Sequence, residues 1–573
     1  MPADRPPPLA IRDDAARWNT LRSEKTLAVA ARTLVSTIRV LECLPSLLRG
    51  DSRVAVVFAY DPTSAFSEGV LDVLHDAGCR VLPWDRLTAL APDLLLSASE
   101  NIDPPQGDYP VLVLPHGVGF QKFVPDSRSP GTRLSGVVGD RLLKSGRAWL
   151  TISHPHQHRQ LQESHPEAAE RTVLVGDPCF DELRAGLGQA ARFRRALGVP
   201  DGRRLVVLSS TWGSTSLLGR QPQLPARLLE ALPYDEYRVA AILHPHVWSA
   251  HGEWQIRTLQ AAALEAGLIL IPPFREWRSA LVAASVVVGD HGSVTLYGAA
   301  LGKPVVLGAF GGDAVPGTAV AALGRRAPRL RTQDSPERVI EPALTRHDPH
   351  RYDDVAALAF AESGQALTRL RALVYDLLGL GEPAAPAAPV LAPAAPESEP
   401  LPVTSWVVTT SVARDADPPT VEVRRHPAAV ARTEGEGPAG FHHLCCAEDE
   451  RDTRLTESAS VLLCREPGGI PAAAALRWIA GTLSRFPGSL LAAARIRGGG
   501  CLVGLRDGRV VEAAPTGPDP GAGPLTALVY TCLRAGLPLG PAVVALRTGA
   551  DREVDVALRV RPPSSTGGAT GAD

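Results

Sequence analysis

One short polar turn carries the strongest chemical signal in the sequence. A strand-length apolar run, Ser285–Gly289, leads into the turn Asp290–Ser293, and a helical pattern follows. The first N–H groups of a helix lack intrahelical partners and stand at the positive end of its dipole, so an anion is favoured there. Gly292 allows close backbone approach, and the Ser293 hydroxyl could cap the helix or bind phosphate. The turn predicts a nucleotide-diphosphate site; an ordinary strand–helix unit with a serine cap is the alternative.

Other predicted strands also end in residues suited to chemistry, namely Thr211–Trp212, His244–Pro245 and His116–Gly117. The carboxyl ends of parallel strands border the crevice where α/β proteins bind ligands. His116 is therefore placed where a crevice ligand would lie, and a neutral imidazole near pH 7 is suited to proton transfer. Two plainer interpretations stay open: His116 could cap local backbone, and Trp212 could pack under a loop.

The elements that must position these residues form two consecutive series of strands and helices. A helix is predicted over Glu24–Leu48, and short apolar strands separated by helices follow it to Gly176. A second series begins at Arg204, and a long closing helix, Asp353–Leu378, is predicted to cross back to the first domain. The pattern predicts an α/β protein with two Rossmann-like domains, 1–195 and 196–380, that face each other across a cleft.

A proline- and alanine-rich stretch, 381–402, marks the clearest boundary in the chain. Its composition favours extended polyproline II, which would make it a semi-rigid spacer. Beyond it, 403–562 predicts a small α+β domain with an interaction or regulatory role, including a hairpin around Asp507–Gly508. The tail 563–573 is predicted to be disordered.

Composition excludes several classes of function. The 573-residue chain has a net charge of −2 and no long Lys/Arg run, so the sequence does not indicate a basic surface for nucleic-acid binding. No apolar run reaches the roughly 18 residues of a membrane span, which predicts a cytoplasmic protein and leaves peripheral membrane contact open. The 8 cysteines form no C-x-x-C pair, so we expect reduced, mostly buried thiols.

A histidine cluster, His154, His156 and His158, could superficially suggest a metal site. Imidazole suits zinc or nickel, but no carboxylate or thiol partner stands at a matching spacing. We therefore expect no metal ligands here.

The ordered set of strand-end motifs resembles one enzyme family over roughly residues 25–380. It is similar to GT-B transferases related to the CDP-glycerol glycerophosphotransferases, and more distantly to UDP-N-acetylglucosamine 2-epimerases. The motifs that carry the resemblance are His116-Gly117, Gly176-Asp-Pro178 before Asp181, Thr211-Trp212, His244-Pro245 and Asp290-His291-Gly292-Ser293 before Lys303-Pro304.

The resemblance implies a role for each motif. It implies that His116 is the general base on the acceptor side, with Gly117 and Asp181 nearby. It implies that the donor binds to the second domain, against Thr211, Trp212, His244 and the turn that contains Asp290, His291, Gly292 and Ser293. Such enzymes usually need no bound divalent metal, and no cofactor beyond the nucleotide-activated donor is implied.

The sequence departs from the family pattern at phosphate-binding positions. His291 and Gly292 replace the Tyr-Ser of the family's Asp-Tyr-Ser-Ser, Gly213 replaces an Arg that often follows Trp, and Cys179 replaces a common Arg. These losses leave the donor's base and transferred group open.

The sequence favours a transferase that moves a glycosyl or glycerophosphoryl group from a nucleotide-activated donor to a hydroxyl acceptor by an inverting, general-base mechanism. A nucleotide-binding protein on the same fold, without turnover and with a protein partner at 403–562, is the alternative. A sugar-nucleotide epimerase or hydrolase is a third reading, but the motifs supply only Asp181 and Asp290 as carboxylates.

Overall fold

The computed structural model describes residues 20, 23–64, 66–126, 131–199, 201–274, 276–431, 440–466, 468–549 and 552–562. The predicted tail, 563–573, lies outside these residues. No helix in the described ranges is both long and apolar enough to cross a membrane.

The first domain is built on a parallel sheet. Its elements are β1 (Lys25–Ala31), α1 (Leu34–Leu47), β2 (Val54–Tyr60), α2 (Val70–Asp76), β3 (Val81–Pro83), α3 (Leu87–Leu90), β4 (Leu94–Ser97), β5 (Val111–Val113), β6 (Phe123–Pro125), β7 (Thr132–Leu134), α4 (Asp140–Lys144), β8 (Ala148–Ile152), α5 (Pro155–Ser164), α6 (Pro166–Ala169) and β9 (Thr172–Leu174). Seven parallel strands run in the order β3-β2-β1-β4-β5-β8-β9, while β6 and β7 form a separate hairpin.

The first predicted helix, Glu24–Leu48, is wrong over its N-terminal part. Lys25–Ala31 forms the central strand β1, and the helix occupies only Leu34–Leu47. Leu27–Ala31 is fully buried between β2 and β4, so it is apolar at every position and has no alternation to mark it as a strand. Because alanine also favours helix, periodicity could not separate the two structures here.

The second domain repeats this architecture with five strands. Its elements are α7 (Pro178–Gly186), α8 (Ala190–Ala196), β10 (Arg204–Ser210), α9 (Leu217–Arg220), α10 (Leu224–Ala231), β11 (Tyr237–Leu243), α11 (Pro245–Leu259), α12 (Ala261–Glu265), β12 (Ile269–Ile271), α13 (Glu276–Ala283), β13 (Val286–Gly289), α14 (Ser293–Ala300), β14 (Val305–Leu307), α15 (Ala319–Arg326), α16 (Pro336–Thr345) and α17 (Asp353–Ala356). The sheet is parallel throughout, in the order β12-β11-β10-β13-β14.

The chain crosses between the two cores twice. Helix α7 and nearly all of α8 lie before the boundary expected at 195, yet they pack through Phe180, Leu183 and Phe193 into the second core. Helix α18 (Ala366–Leu378) returns and packs in the first core. The predicted helix over Asp353–Leu378 is therefore two helices, and Gly364, with a φ of +81°, lies in the break between them.

The C-terminal domain is a closed barrel, which corrects the α+β prediction. Its elements are β15 (Ser405–Ala413), β16 (Thr420–Pro427), β17 (Phe441–Ala447), α19 (Thr453–Ser458), β18 (Val461–Leu463), α20 (Ala472–Arg485), β19 (Leu491–Arg495), β20 (Cys501–Leu505), β21 (Val510–Pro515), α21 (Ala522–Ala535), β22 (Ala542–Arg547) and β23 (Glu553–Arg561). Nine strands close in the order β15-β16-β22-β23-β21-β20-β19-β18-β17. The nearly fully buried α21 packs against strands around the barrel and fills its interior.

The proline-rich stretch is bound to the Rossmann-like domains along its length. Arg371 donates to the carbonyls of Pro383 and Ala385, and the Ser398 hydroxyl donates to Glu276 at 2.5 Å. These contacts hold the linker against the protein surface, so it is not a free spacer.

Candidate functional site

A cavity of about 570 Å³ lies between the two Rossmann-like domains. Its walls come from segments that directly follow parallel strands of both sheets. In the first sheet the order of strands reverses between β1 and β4, and in the second it reverses between β10 and β13. Ligands of open α/β sheets bind outside such reversal points. The cavity therefore joins the two positions at which each sheet is best suited to bind a ligand.

The first-domain wall centres on His116, which follows β5. The ring is exposed at the cavity, and its Nδ1 lies 3.3 Å from the carbonyl oxygen of Ala98. Because a carbonyl can only accept, this contact requires the proton on Nδ1 and leaves Nε2 as the free acceptor of a neutral ring. The arrangement suits a proton acceptor. The neighbouring Gly117 lines the cavity as well.

A buried carboxylate accompanies this histidine, and sequence reasoning missed it. Glu100 is only 6% exposed and accepts a 2.8 Å hydrogen bond from Arg133. Burial by itself raises the pKa of Glu100, but the charges of His116 and Arg133 outweigh burial and hold that pKa below its ordinary value. Glu100 is therefore ionised close to His116. Its position just after β4 was the signal available in the sequence.

The second-domain wall contains His244 at the N-terminus of α11. Its Nδ1 accepts a hydrogen bond from the backbone N–H of His246 at 3.1 Å, so the proton of the neutral ring is on Nε2. Burial holds the pKa of His244 well below its ordinary value, and nearby His246, Lys122 and His116 act in the same direction. His244 is thus a neutral hydrogen-bond donor in the cavity wall.

The turn before α14 lies in the same wall, with a different local geometry from the one predicted. The cap residue is Gly292, with no side-chain cap, while Ser293 is the first residue of the helix. The Ser293 hydroxyl reaches across the cleft and accepts a hydrogen bond from the N–H of Val118 at 3.2 Å. A β-carbon on Gly292 would lie 3.1 Å from an oxygen of Asp290, so the turn leaves little room for a side chain.

Asp290 and His291 are directed into the protein. Asp290 is fully buried, and its carboxylate accepts hydrogen bonds from the N–H groups of Thr211, Leu217 and Gly292 at 2.8–2.9 Å. His291 lines the cavity, but its Nδ1 accepts from Gly311 N–H and its Nε2 lies 3.0 Å from Asp313. These contacts make both side chains organisers of the turn.

Thr211 and Trp212 lie beside the turn, as their place after β10 predicts. Trp212 lines the cavity and belongs to an aromatic group with His246 and Phe66. Phe66 comes from the first domain and stacks on His246 at a centroid distance of 3.7 Å and an angle of 8°. This group closes one side of the cavity across both domains.

Asp181 does not line the cavity. Its carboxylate accepts hydrogen bonds from the N–H groups of Gly364 at 2.5 Å and Ala366 at 3.0 Å, at the start of α18. The first N–H groups of a helix need such acceptors. The structure places Asp181 as a support for α18, away from the acceptor side on which the resemblance had put it.

The three clustered histidines point to separate partners. His154 caps α5 through its Nδ1, His156 Nε2 lies 3.1 Å from the Gly317 carbonyl, and His158 lies 2.7 Å from the Thr172 hydroxyl. Within the described ranges, no group of three or more His, Cys, Asp or Glu side chains is placed to hold a metal ion.

Comparisons with known proteins find similarity only among solved structures. No protein-family model and no curated protein matches the sequence. The wall teichoic acid polymerase TagF is 13% identical with a TM-score of 0.42, over 62% of this chain and 90% of that one. UDP-GlcNAc 2-epimerase from Neisseria meningitidis, bound to UDP-GlcNAc, is 14% identical with a TM-score of 0.38, over 62% and 99%. The S. aureus MnaA–UDP structure is 12% identical with a TM-score of 0.39, over 63% and 99%.

Proposed function

We propose that the protein transfers a glycosyl or glycerophosphoryl group from a nucleotide-activated donor to a hydroxyl acceptor. One observation carries the proposal: the first-domain wall presents His116, with an accepting Nε2, to the same cavity into which the second-domain wall presents His244 and the start of α14. A group suited to accept a proton and groups suited to bind an anion would thus act across a single cleft.

The donor would bind to the second-domain wall. Its phosphates would lie against the first N–H groups of α14 beyond Gly292, with His244 Nε2–H as a further donor. Charge develops on the departing nucleotide as its bond breaks, and preorganised donors in a water-poor cleft stabilise that charge. Ser293 would join this set once a ligand displaces its hydrogen bond with Val118.

The acceptor would bind against the first-domain wall. Nε2 of His116 would take the hydroxyl proton as the acceptor oxygen attacks the donor's reacting carbon or phosphorus, and the bond to the nucleotide would break with its electron pair leaving on phosphate oxygen. The neighbouring ionised Glu100 would stabilise the imidazolium that forms. Closure of the two domains would exclude water during this step.

A nucleotide-binding protein without turnover is the second candidate. It is favoured by the engagement of the turn's own side chains: Ser293 is bonded to Val118, and His291 contacts Gly311 and Asp313. Such a protein would bind a nucleotide and leave it intact.

Thermal shift and turnover measurements test the proposal together. CDP-, UDP- and GDP-linked compounds should raise the melting temperature of the wild type, and the His244→Ala, Ser293→Ala double variant should lose that stabilisation. His251→Ala is the matched control because His251 is exposed on the same helix α11, outside the cavity. His116→Ala should keep nucleotide stabilisation but lose turnover by about 10²–10⁴-fold, the usual contribution of a general base.

Two outcomes would overturn the transferase. If no nucleotide compound stabilises the wild type, the cavity is not a donor site. If nucleotides stabilise the protein but no donor is consumed with any hydroxyl acceptor tested, the nucleotide-binding alternative takes its place.

A further inference from the structure

One cation in the cavity, Lys122, has no charged partner among the residues that the structure describes. Lys122 lies between β5 and β6 of the first domain, and its side chain lines the cavity. Its Nζ lies 3.4 Å from the hydroxyl of Thr211 and 5.7 Å from the centre of the Trp212 ring. Among the described residues, no carboxylate lies within ion-pair distance of this ammonium. A half-buried charge without a counterion is unfavourable, so an anion in the cavity would relieve a cost that the protein already carries.

The two carboxylates whose charges act on Lys122, Asp290 and Asp313, each contact a group of the second domain. All three amides that Asp290 binds are backbone groups of the second domain. Asp313 contacts His291 through one oxygen, while its other oxygen is buried without a hydrogen-bond partner. Burial lowers the pKa of Lys122, and the charges of Asp290 and Asp313 offset only part of that effect. Among the described residues, Asp313 is thus the carboxylate that Lys122 could serve structurally instead of binding a ligand.

Backbone pairing holds Lys122 against the second domain. Lys122 forms an antiparallel bridge with Ala314, and the N–H of Phe123 donates to the Asp313 carbonyl at 2.8 Å. The N–H of Val315 donates to the Gln121 carbonyl at 2.9 Å. This first-domain segment is therefore fixed beside the strand-order reversal of the second sheet, and the ammonium does not need to swing across the cleft to reach a ligand there.

We propose that Lys122 binds the diphosphate group of the nucleotide-activated donor, the group that a nucleoside diphosphate also carries, and neutralises charge on the nucleotide as it departs, as a nucleoside diphosphate after glycosyl transfer or as a nucleoside monophosphate after glycerophosphoryl transfer. The residue thus supplies the first domain's contribution to a site otherwise built from Thr211, His244 and the start of α14. This assignment rests on the proposed function only for the departure step, since phosphate binding requires no turnover.

Binding measurements on two variants test the assignment. Calorimetry would compare CDP, UDP, GDP and inorganic pyrophosphate with the corresponding nucleosides. Lys122→Met should weaken binding of those diphosphates that the wild type binds by tenfold or more and change nucleoside binding less than twofold, because only the phosphates meet the ammonium. Lys122→Arg should stay within about threefold of the wild type because it keeps the charge. Lys144→Met, at an exposed position on α4, is the control.

The results of these measurements distinguish the role of Lys122 in phosphate binding from the proposed transferase activity. Diphosphate binding that is unchanged in Lys122→Met, or nucleoside binding lost to the same extent, would overturn the role of Lys122 whether or not turnover occurs. Failure of the wild type to bind any of the diphosphates or pyrophosphate would overturn it as well. Diphosphate binding that depends on Lys122 without donor turnover would support Lys122 and overturn only the transferase.

The stability of the ligand-free protein tests whether Lys122 has a structural role beside Asp313 instead of a ligand-binding role. Removing an unpaired, half-buried ammonium should leave the melting temperature of Lys122→Met unchanged or higher. A fall of several degrees combined with unchanged diphosphate binding would mean that Lys122 serves Asp313 instead.

Discussion

At the residue scale, the ionised carboxylate of Glu100, whose charge interacts with His116, is the feature that most affects how a proton could move. Glu100 is held by Arg133 at 2.8 Å and is nearly inaccessible to solvent. A fixed negative charge near a base stabilises the cation that forms when the base takes a proton from a substrate. We therefore regard Glu100 as a positioning residue that acts through His116.

Replacing this carboxylate should slow turnover without weakening donor binding. Glu100→Gln keeps the shape but removes the charge, so we expect kcat to fall by at least about tenfold, the equivalent of 1.4 kcal/mol of imidazolium stabilisation. KM for the donor should stay within about threefold, since Glu100 belongs to the first-domain wall. Steady-state kinetics measure both, with Glu167→Gln as an exposed control. An unchanged kcat would remove Glu100 from the mechanism.

The same variant has a predictable dependence of stability on pH. The folded-state pKa of Glu100 lies below its ordinary value of 4.5, so its ionised form stabilises the fold. That contribution is fully present above pH 4.5 and is lost as pH falls through the lower folded value. Urea unfolding should show Glu100→Gln less stable than the wild type by about 1–3 kcal/mol at pH 7, with the gap narrowing below pH 4.5. A gap that stays constant into acid would contradict this assignment.

At the scale of elements, one carboxylate supports the helix that ties the second series back to the first domain. Asp181 lies in α7, which packs in the second core, and its oxygens accept from two N–H groups at the start of α18, which packs in the first core. Asp181 thus links the two crossings of the chain between the cores.

Removing this support should cost stability but not ligand affinity. Asp181→Ala leaves the N–H groups of Gly364 and Ala366 without acceptors, which should lower the free energy of unfolding by about 1–3 kcal/mol. Urea unfolding would measure the loss, with Asp376→Ala, exposed on the same helix, as the control. A tenfold loss of nucleotide affinity with stability retained would instead restore the ligand-side role that the resemblance implied.

An element could be predicted from the sequence where its residue pattern fits only one kind of secondary structure. Short buried strands such as Val286–Gly289 are continuous apolar runs with clear ends. The strands and the polar residues that follow them were therefore predicted. The Ala-rich β1 was read as helix, and strands β15, β16, β17 and β19 were not predicted, so the closed barrel was missed.

The site was predictable only where chemistry lies directly after a strand. His116, Thr211 and His244 satisfy that condition, and all three line the cavity. Lys122 does not, because its place depends on a backbone bridge to Ala314, far along the chain. The order of the motifs does not predict that Asp181 binds the N-terminus of α18, because this contact depends on where α18 packs after the chain crosses back to the first domain.

At the scale of the whole molecule, the barrel is joined to the second Rossmann-like domain by a buried ion pair. Arg425 of β16 binds both oxygens of Asp235 at 2.7 Å, and each side chain is 8% exposed. The neighbouring Tyr234 donates its N–H to the Arg425 carbonyl and meets Trp406 of β15 edge-on at 5.8 Å. With the bound linker, this interface should make the barrel and the second domain unfold together.

Breaking the ion pair should separate the two units. Arg425→Met leaves the buried Asp235 carboxylate with the longer 3.4 Å contact to Arg203 in place of its bidentate partner, a change that costs at most about 3–5 kcal/mol. We expect one calorimetric transition for these two units in the wild type and two in the variant, with the earlier one reporting the barrel. The adjacent Arg424→Met is the matched control, because its contact with Glu337 is a surface ion pair worth at most about 1 kcal/mol. If Arg425→Met melts like Arg424→Met, the ion pair does not couple the two units, and if the wild type already shows two independent transitions, the barrel unfolds autonomously despite this interface.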